Sequence, residues 1–428
     1  MDTLPPDRWY AVDRIFTEAL DLRDGERAVF VRQACGSDDA LYDEVIALLQ
    51  SREAAQAALG ESATAFAALL LPDLQHHLDD AARLPSGTRI GPYRLLEEIG
   101  RGGMGTVYLA ERIDAYHRRV ALKLVKRGMD SDEILRRFRY ERQILAGLEH
   151  PHIARLYDGG LSDDGRPYLA MEYVDGRPID QYCDAATLDI DARLRLFASV
   201  CEAVQYAHQN LVVHRDLKPS NVLITAAGQV KLLDFGIAKL LDEEAAGVSA
   251  PVTRTGLRVM TPAYAAPEQV RGEAITTATH VYALGVVLYK LLTGQRPYED
   301  VEENAQAAER AVLEQEPVRP STAITKATET LTPERASAAR ATSVERLQRR
   351  LQGDLDVMVL KALRKEPERR YASAAAFAED IRRHLDGLPV TARPDTRSYR
   401  VRKFVRRHRF GVGTAAVFAL LVSAFTLL

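Results

Sequence analysis

At Tyr93 the sequence changes its period. From there to Val174 it runs through five short β-rich stretches, YRLLEEIG, TVYLAER, RVALKLV, ARLYDGGL and YLAMEYV, interrupted by one helical stretch at about 132–148. After Pro178 the pattern is mostly helical, to about Leu385. Short runs rich in β-branched and aromatic residues read as strands, and apolar residues three and four apart read as helices. Strands first and helices afterwards predict an α+β domain of two lobes, a small β-rich one and a larger helical one. No fixed-period repeat is present, so a solenoid is not expected.

The flanks differ from this body. Residues 1–85 read as a small helical region: Trp9, Val12, Ile15, Phe16 and Ala19 fall at helical spacing, as do Leu41, Val45, Leu48 and Leu49. The run 54–71 is alanine-rich and reads as helical, while His76 and His77 read as solvated surface. The region carries no catalytic cluster and suits an interaction or regulatory module. A linker follows at 86–92, then the two-lobed domain at 93–388 and a basic juxtamembrane segment at 389–409. Residues 410–428 carry no charge over 19 positions. As a helix they would extend roughly 28 Å, close to the thickness of a bilayer's hydrocarbon core. The arginines of RSYRVRKFVRRHR just before them belong on the cytoplasmic side. The expectation is a single-pass protein of the cell inner membrane with a cytoplasmic body. A buried C-terminal helix is the alternative, but small apolar residues fill every face of the run. The chain stops within or at the end of that span, as a tail anchor or a fragment of a longer protein would.

Composition narrows the class. With 428 residues the chain has room for more than one domain. Its net charge of −3 gives no basic field, so nucleic acid is not an expected partner. Three scattered cysteines, Cys35, Cys183 and Cys201, form neither a disulfide framework nor a zinc spacing, which suits a reducing compartment. The start, MDTLPPDRWY, shows no signal peptide.

Chemistry enters at GRGGMGTVYLA, where Gly100, Gly102, Gly105 and Val107 fit G-x-G-x-x-G-x-V. Glycines allow a backbone to turn tightly and approach phosphates. A strand-like segment follows rather than a helix, so a dinucleotide-binding turn is a poor fit and a flap over a nucleotide a better one. VALK places Lys123 at an apolar strand position, costly unless it meets a negative charge, and Glu141 on the helical stretch could supply one. HRDLKPSN (214–221), DFG (234–236) and an APE ending at Glu268 complete the series. Taken singly, each admits a purely structural role: Lys123–Glu141 as an ordinary ion pair, Asp216 as a cap.

Together, in this order and spacing, the five motifs resemble the protein kinase family, and most of all bacterial serine/threonine kinases of the eukaryotic-like type, over 93 to about 385. The resemblance implies a bilobal kinase fold, ATP and Mg²⁺ as cofactors, and protein serine or threonine hydroxyls as acceptors. It implies that the Gly100–Gly105 loop covers the phosphates and that Lys123, oriented by Glu141, holds two of them. Asp216 would accept the hydroxyl proton, Lys218 would steady the transferring phosphate, and Asn221 and Asp234 would hold Mg²⁺. Backbone groups at Glu172 and Val174 would bind adenine, with Met171 behind and Ile99, Val107, Ala121 and Leu223 around the base. The segment 234–268 resembles an activation loop offering Ser249, Thr253 and Thr255. Arg215 would receive a phosphate on Thr253 or Thr255, Thr261 would support Asp216 and Lys218, and Glu268 would pair with Arg370. Met260 stands where the family usually has glycine. The Ser-, Thr-, Ala- and charge-rich stretch 319–343 reads as a flexible solvated insertion, with a phosphorylated regulatory loop as the sharper reading.

One position departs from the pattern. In ITTATHVYALG, His280 stands where the family usually has an aspartate that accepts backbone hydrogen bonds from the HRD segment. A neutral imidazole offers one acceptor, and a buried donor left without one costs about 1–3 kcal/mol. The expectation is a working but weakened enzyme in which His280→Asp raises stability and rate. A pseudokinase acting as a nucleotide-binding scaffold is the alternative, and a third reading makes residues 1–85 the active part. The sequence leaves open whether two chains form a homodimer.

Overall fold

In a computed structural model, the residues described are 15, 19, 24–36, 38, 41–42, 45–46, 49, 84–102, 105–114, 117–126, 138, 142–143, 145–214, 216–233, 264–298, 305–328, 331–394, 396–408 and 414. They separate into two compact units, Met1–Pro85 and Ser86–Leu428.

In the first unit, α1 spans Asp24–Cys35. Ile15, Ala19, Val31, Cys35, Val45 and Leu49 form a small core, with Phe30, Leu41, Tyr42 and Ile46 packed against it. The core residues come as pairs four apart, the spacing that puts two side chains on one helix face. Trp9, Val12, Phe16, Leu48, His76, His77 and the run 54–71 lie outside the described residues.

The second unit opens with a six-stranded antiparallel sheet. Its strands are β1 (Arg89–Ile90), β2 (Tyr93–Gly102), β3 (Gly105–Arg112), β4 (Arg118–Val125), β5 (Leu156–Leu161) and β6 (Pro167–Glu172), in spatial order β1-β2-β3-β4-β6-β5. The last six residues of β4 are all buried, as a central strand covered on both faces requires. Between β4 and β5, Phe138, Arg142, Gln143, Leu145 and Ala146 are helical. Phe138 and Leu169 pack together, with Leu145, Leu156 and Met171 against them.

A second sheet was not legible in the sequence. β7 (Gly176–Pro178), β8 (Val222–Thr225) and β9 (Val230–Leu232) pair antiparallel; β8 and β9 fall within the stretch after Pro178 that reads as mostly helical. The runs are three and four residues long, too short to show a period. β7, some forty-five residues earlier in the chain, supplies the edge that holds β8 in place.

Among the described residues the rest of the second unit is mainly helical: α2 (Ile179–Ala185), α3 (Ile190–Gln209), α4 (Pro267–Arg271), α5 (Thr277–Thr293), α6 (Ala305–Glu314), α7 (Pro320–Ala323), α8 (Pro333–Ala338), α9 (Val344–Leu351), α10 (Asp354–Ala362), α11 (Ala374–Leu385) and α12 (Arg397–Arg407). α5 is the axis of the lobe and almost wholly buried. The Thr276 hydroxyl caps its N-terminus, and it ends on Gly294 at φ +82°, where a Cβ would strike Leu331. Its last carbonyls would be orphaned in the core. Two fully buried arginines answer them: Arg340 donates to Lys290, Leu291 and Leu292, and Arg193 donates to Leu291, Cys183 and Ala339.

Arg340 corrects the reading of 319–343 as a flexible solvated insertion. The described part of that stretch carries α7 and α8 and is tied into the lobe. The Ser321 N–H and hydroxyl both donate to Asp356 (2.9 and 2.7 Å), and Arg340 is 2% exposed. The described part of 389–409 is also tied to the lobe. The Thr391 and Ala392 N–H groups donate to Asp380, and Tyr399 of α12 is buried. Apart from Thr414, residues 410–428 lie outside the described residues, among which no helix is long and apolar enough to cross a membrane.

Candidate active site

The hairpin β2–β3 forms one wall. Gly102 pairs with Gly105 and Gly100 with Val107, with register shifts between Leu95 and Glu97 and between Glu98 and Gly100. The three glycines are there for different reasons. A Cβ on Gly105, at φ +153°, would run into the Leu124 carbonyl of β4. Gly100 and Gly102 have room for a side chain, so protein packing does not demand glycine at either. Ile99, next to them, is 43% exposed.

Register sets the next layer. Val107 pairs with Lys123, and Lys123 with Leu169; Ala121 pairs with Leu109 and Met171. Directly paired residues, and those two apart on a strand, share a face. Val107, Ala121, Lys123 and Met171 therefore lie on one side of the sheet. Lys123 is 8% exposed, deep for an ammonium. Glu141 lies outside the described residues.

β6 leads into β7 through 173–175. Here the structure adds a contact the sequence did not suggest: Lys231 of β9 meets both oxygens of Glu172 (2.8 and 3.0 Å). The Glu172 N–H donates to the Arg155 carbonyl at 2.8 Å. Of the two backbone groups of Glu172, this commits the N–H to the protein. Val174 is half-buried, and Leu223 sits on β8 opposite Pro178 and Lys231.

Beneath them is the loop 214–221. Asp216 Oδ2 lies 2.9 Å from Lys218 Nζ, and Asn221 Nδ2 donates to the Asp216 carbonyl (2.7 Å) and to its Oδ2 (3.2 Å). The three polar side chains predicted from HRDLKPSN are thus brought together. A short 3₁₀ turn, Pro219–Asn221, returns the chain into β8. His214, 1% exposed, anchors the loop through Nε2 to the Leu233 carbonyl at 2.6 Å. Asp234, Arg215, Ser249, Thr253, Thr255, Met260 and Thr261 lie outside the described residues.

Two buried side-chain pairs of the helical lobe were singled out by the sequence at one partner or both. Glu268 and Arg370 form the expected pair, bidentate at 2.6 and 2.8 Å and buried. Arg370 also donates to the carbonyls of Arg364, Lys365 and Ala278. Burial alone would raise the Glu268 pKa, but the hydrogen bonds and charge of Arg370 hold it below the usual carboxylate value.

The second pair is built on His280, which has a partner that the sequence did not reveal. Its Nδ1 lies 2.6 Å from Nε2 of His208 on α3, with the rings stacked at 4.8 Å. His208 Nδ1 is buried without a hydrogen-bond partner. An unpaired lone pair is cheaper to bury than an unpaired N–H, so His208 carries its proton on Nε2 and donates to His280. Burial, and then the charge of His214, push the His208 pKa down to about 4. His280 Nδ1 thus accepts from α3, which uses the acceptor nitrogen of its neutral ring.

A glycine hairpin, a buried strand lysine, a linker to a helical lobe and an Asp–Lys–Asn loop below it define the class of two-lobed protein kinase folds. The comparisons agree. The family model for the protein kinase domain matches residues 93–383, and the chain belongs to that family. It is 35% identical over 305 residues to serine/threonine-protein kinase PknB of Mycobacterium leprae, covering 70% of this chain and 44% of that protein. It is 37% identical over 313 residues to Pkn1 of Myxococcus xanthus, covering 72% and 40%. It is also 37% identical over 303 residues to PrkC of Bacillus subtilis, covering 70% and 42%. The chain spans less than half the length of each of these curated relatives.

Proposed function

We propose that the chain is a serine/threonine protein kinase that transfers the γ-phosphoryl group of ATP to protein hydroxyls. The observation that carries the reading is the contact of Asp216, Lys218 and Asn221 within one short loop of a protein-kinase chain. Bound ATP and Mg²⁺ would supply the phosphoryl group and neutralise its charge. The donor set fits a hard cation: with Nδ2 committed to Asp216, Asn221 retains its amide oxygen for a metal, and Asp234 would add a carboxylate.

Asp216 would accept the hydroxyl proton. Lys218 would meet the transferring phosphate, and Lys123, oriented by Glu141, the other phosphates. That protein packing does not demand glycine at Gly100 or Gly102 supports a close approach of that loop to phosphates. Adenine would cover the exposed Ile99 along with Val107, Ala121 and Leu223. It would hydrogen-bond the Glu172 carbonyl, whose N–H is already used, and Val174.

The pseudokinase reading rests on His280 as a missing acceptor; the bond from His208 takes up the acceptor nitrogen of that ring and does not replace it, whereas the intact cluster of Asp216, Lys218 and Asn221 favours a working enzyme. The reading extends to autophosphorylation at Thr253 or Thr255 with Arg215 as receiver, and to residues 1–85 as an interaction module. It includes a single membrane pass by 410–428 in the inner membrane, supported by the uncharged run and the arginines before it.

Incubation with γ-labelled ATP and Mg²⁺ is expected to put label on serine or threonine of the chain or of an added basic protein, and chelation of Mg²⁺ to abolish it. Folded protein that incorporates no label would overturn the reading. Phosphopeptide mapping that finds both Thr253 and Thr255 empty in active protein would remove the autophosphorylation step.

A further inference from the structure

Among the described residues six large hydrophobic side chains are exposed, and three of them lie on α12: Val401 (60%), Phe404 (59%) and Val405 (40%). The helix is otherwise strongly basic, RSYRVRKFVRR, and from Thr396 to Leu428 the chain contains no aspartate or glutamate.

Its two faces are distinct. At 3.6 residues per turn, Val401, Phe404, Val405 and His408 fall on one stripe, and Tyr399 and Lys403 on the opposite one. The inner stripe is fixed to the helical lobe through Asp354, in the first turn of α10. Tyr399 donates to Asp354 Oδ1 (3.0 Å) while its hydroxyl oxygen accepts from Val390 N–H (3.1 Å). Lys403 Nζ lies 2.6 Å from Asp354 Oδ2, and Arg393 reaches Oδ1 at 3.2 Å. Burial alone would raise the Asp354 pKa, but His384, Lys403 and Arg393 hold it well below the usual carboxylate range. The helix is therefore held in place with its apolar stripe facing out, beside the exposed Arg397, Arg400 and Arg407.

We propose that this outer face of α12 is a docking surface for an anionic phospholipid bilayer. Charge complementarity selects the occupant. A helix without acidic residues would set arginine against arginine if a second copy covered it. A lipid headgroup layer gives guanidinium groups phosphates to bind and gives Phe404 and the valines an apolar layer to enter. The grip on Asp354 then carries the binding into the helical lobe and sets how the lobe is presented to the membrane. The inference does not depend on 410–428 crossing the bilayer or on phosphotransfer.

The test uses the full chain reconstituted into vesicles, with a nitroxide on Val405→Cys. Cys35, Cys183 and Cys201 are buried, which directs the label to position 405. The readout is collision with bilayer-soluble oxygen against a water-soluble nickel chelate. The oxygen-to-nickel ratio is expected to rise about threefold or more when phosphatidylcholine vesicles are replaced by equal parts phosphatidylcholine and phosphatidylglycerol. Combining Arg397→Gln, Arg400→Gln and Arg407→Gln should return it to the neutral-vesicle value. Three results would overturn the proposal: a label equally water-exposed in both vesicles, a ratio indifferent to the arginines, or a label shielded without vesicles in step with protein concentration. The last would make a second copy the occupant.

Discussion

Acidification from pH 7 to pH 5 is expected to cost this protein stability through His208. In the unfolded chain this imidazole takes up its proton near 6.5; in the fold, burial and His214 push that event down to about 4. Between those values the unfolded state binds more protons than the native state, so stability rises with pH. The contribution is fully present above 6.5 and is lost as the pH falls towards 4. From pH 7 to pH 5 linkage gives about 2 kcal/mol at full strength, and solvent around the half-buried ring trims this to about 1. The assay is urea unfolding of the wild type and of His208→Gln, which cannot titrate, at both pH values. The wild type should lose about 1 kcal/mol more than the variant. Parallel losses would refute the argument that His208 is held neutral beneath the loop.

Three further outcomes follow from the same geometry. His280→Asp is expected to gain about 1 kcal/mol and a higher transfer rate at pH 7. The carboxylate gains acceptor capacity in the first turn of α5 and would favour the charged form of His208, flattening the pH response; unchanged stability and rate would contradict this. Arg340→Ala should lower the unfolding free energy by about 1–3 kcal/mol, because the Leu292 carbonyl loses its donor, while Leu291 keeps Arg193 and Lys290 keeps the Gly294 N–H. A loss near zero would restore the picture of a solvated insertion. Gly105→Ala should cost about 2–4 kcal/mol, since its Cβ meets backbone rather than a side chain that can turn away, and unaltered thermal unfolding would show that β3 and β4 can part.

The five principal strands were legible because each is bounded by turn residues and carries its own apolar run. The loop chemistry was legible because Asp216, Lys218 and Asn221 lie within six residues, where local geometry forces them together. What escaped was long-range. His208 sits on α3 without any local mark and gains its role from His280, 72 positions away. Lys231 has no local mark either, and β9 brings it to Glu172. The stretch 319–343 has the composition of a solvated loop, and composition cannot show that Arg340 ends among the carbonyls of α5. The segment 389–409 reads as a basic juxtamembrane segment, and nothing in it shows that Tyr399 and Lys403 close on an aspartate some forty-five residues upstream.

The most direct measurement separates nucleotide binding from transfer in the full chain. Binding of ATP with Mg²⁺ and a single turnover from γ-labelled ATP would be measured on the wild type and on Asp216→Asn. Asp216 is placed to take a proton rather than to hold the nucleotide. Binding is therefore expected to stay within about threefold while transfer falls by about 10²–10⁴. An Asp216→Asn protein that binds and transfers like the wild type would contradict the account at its centre.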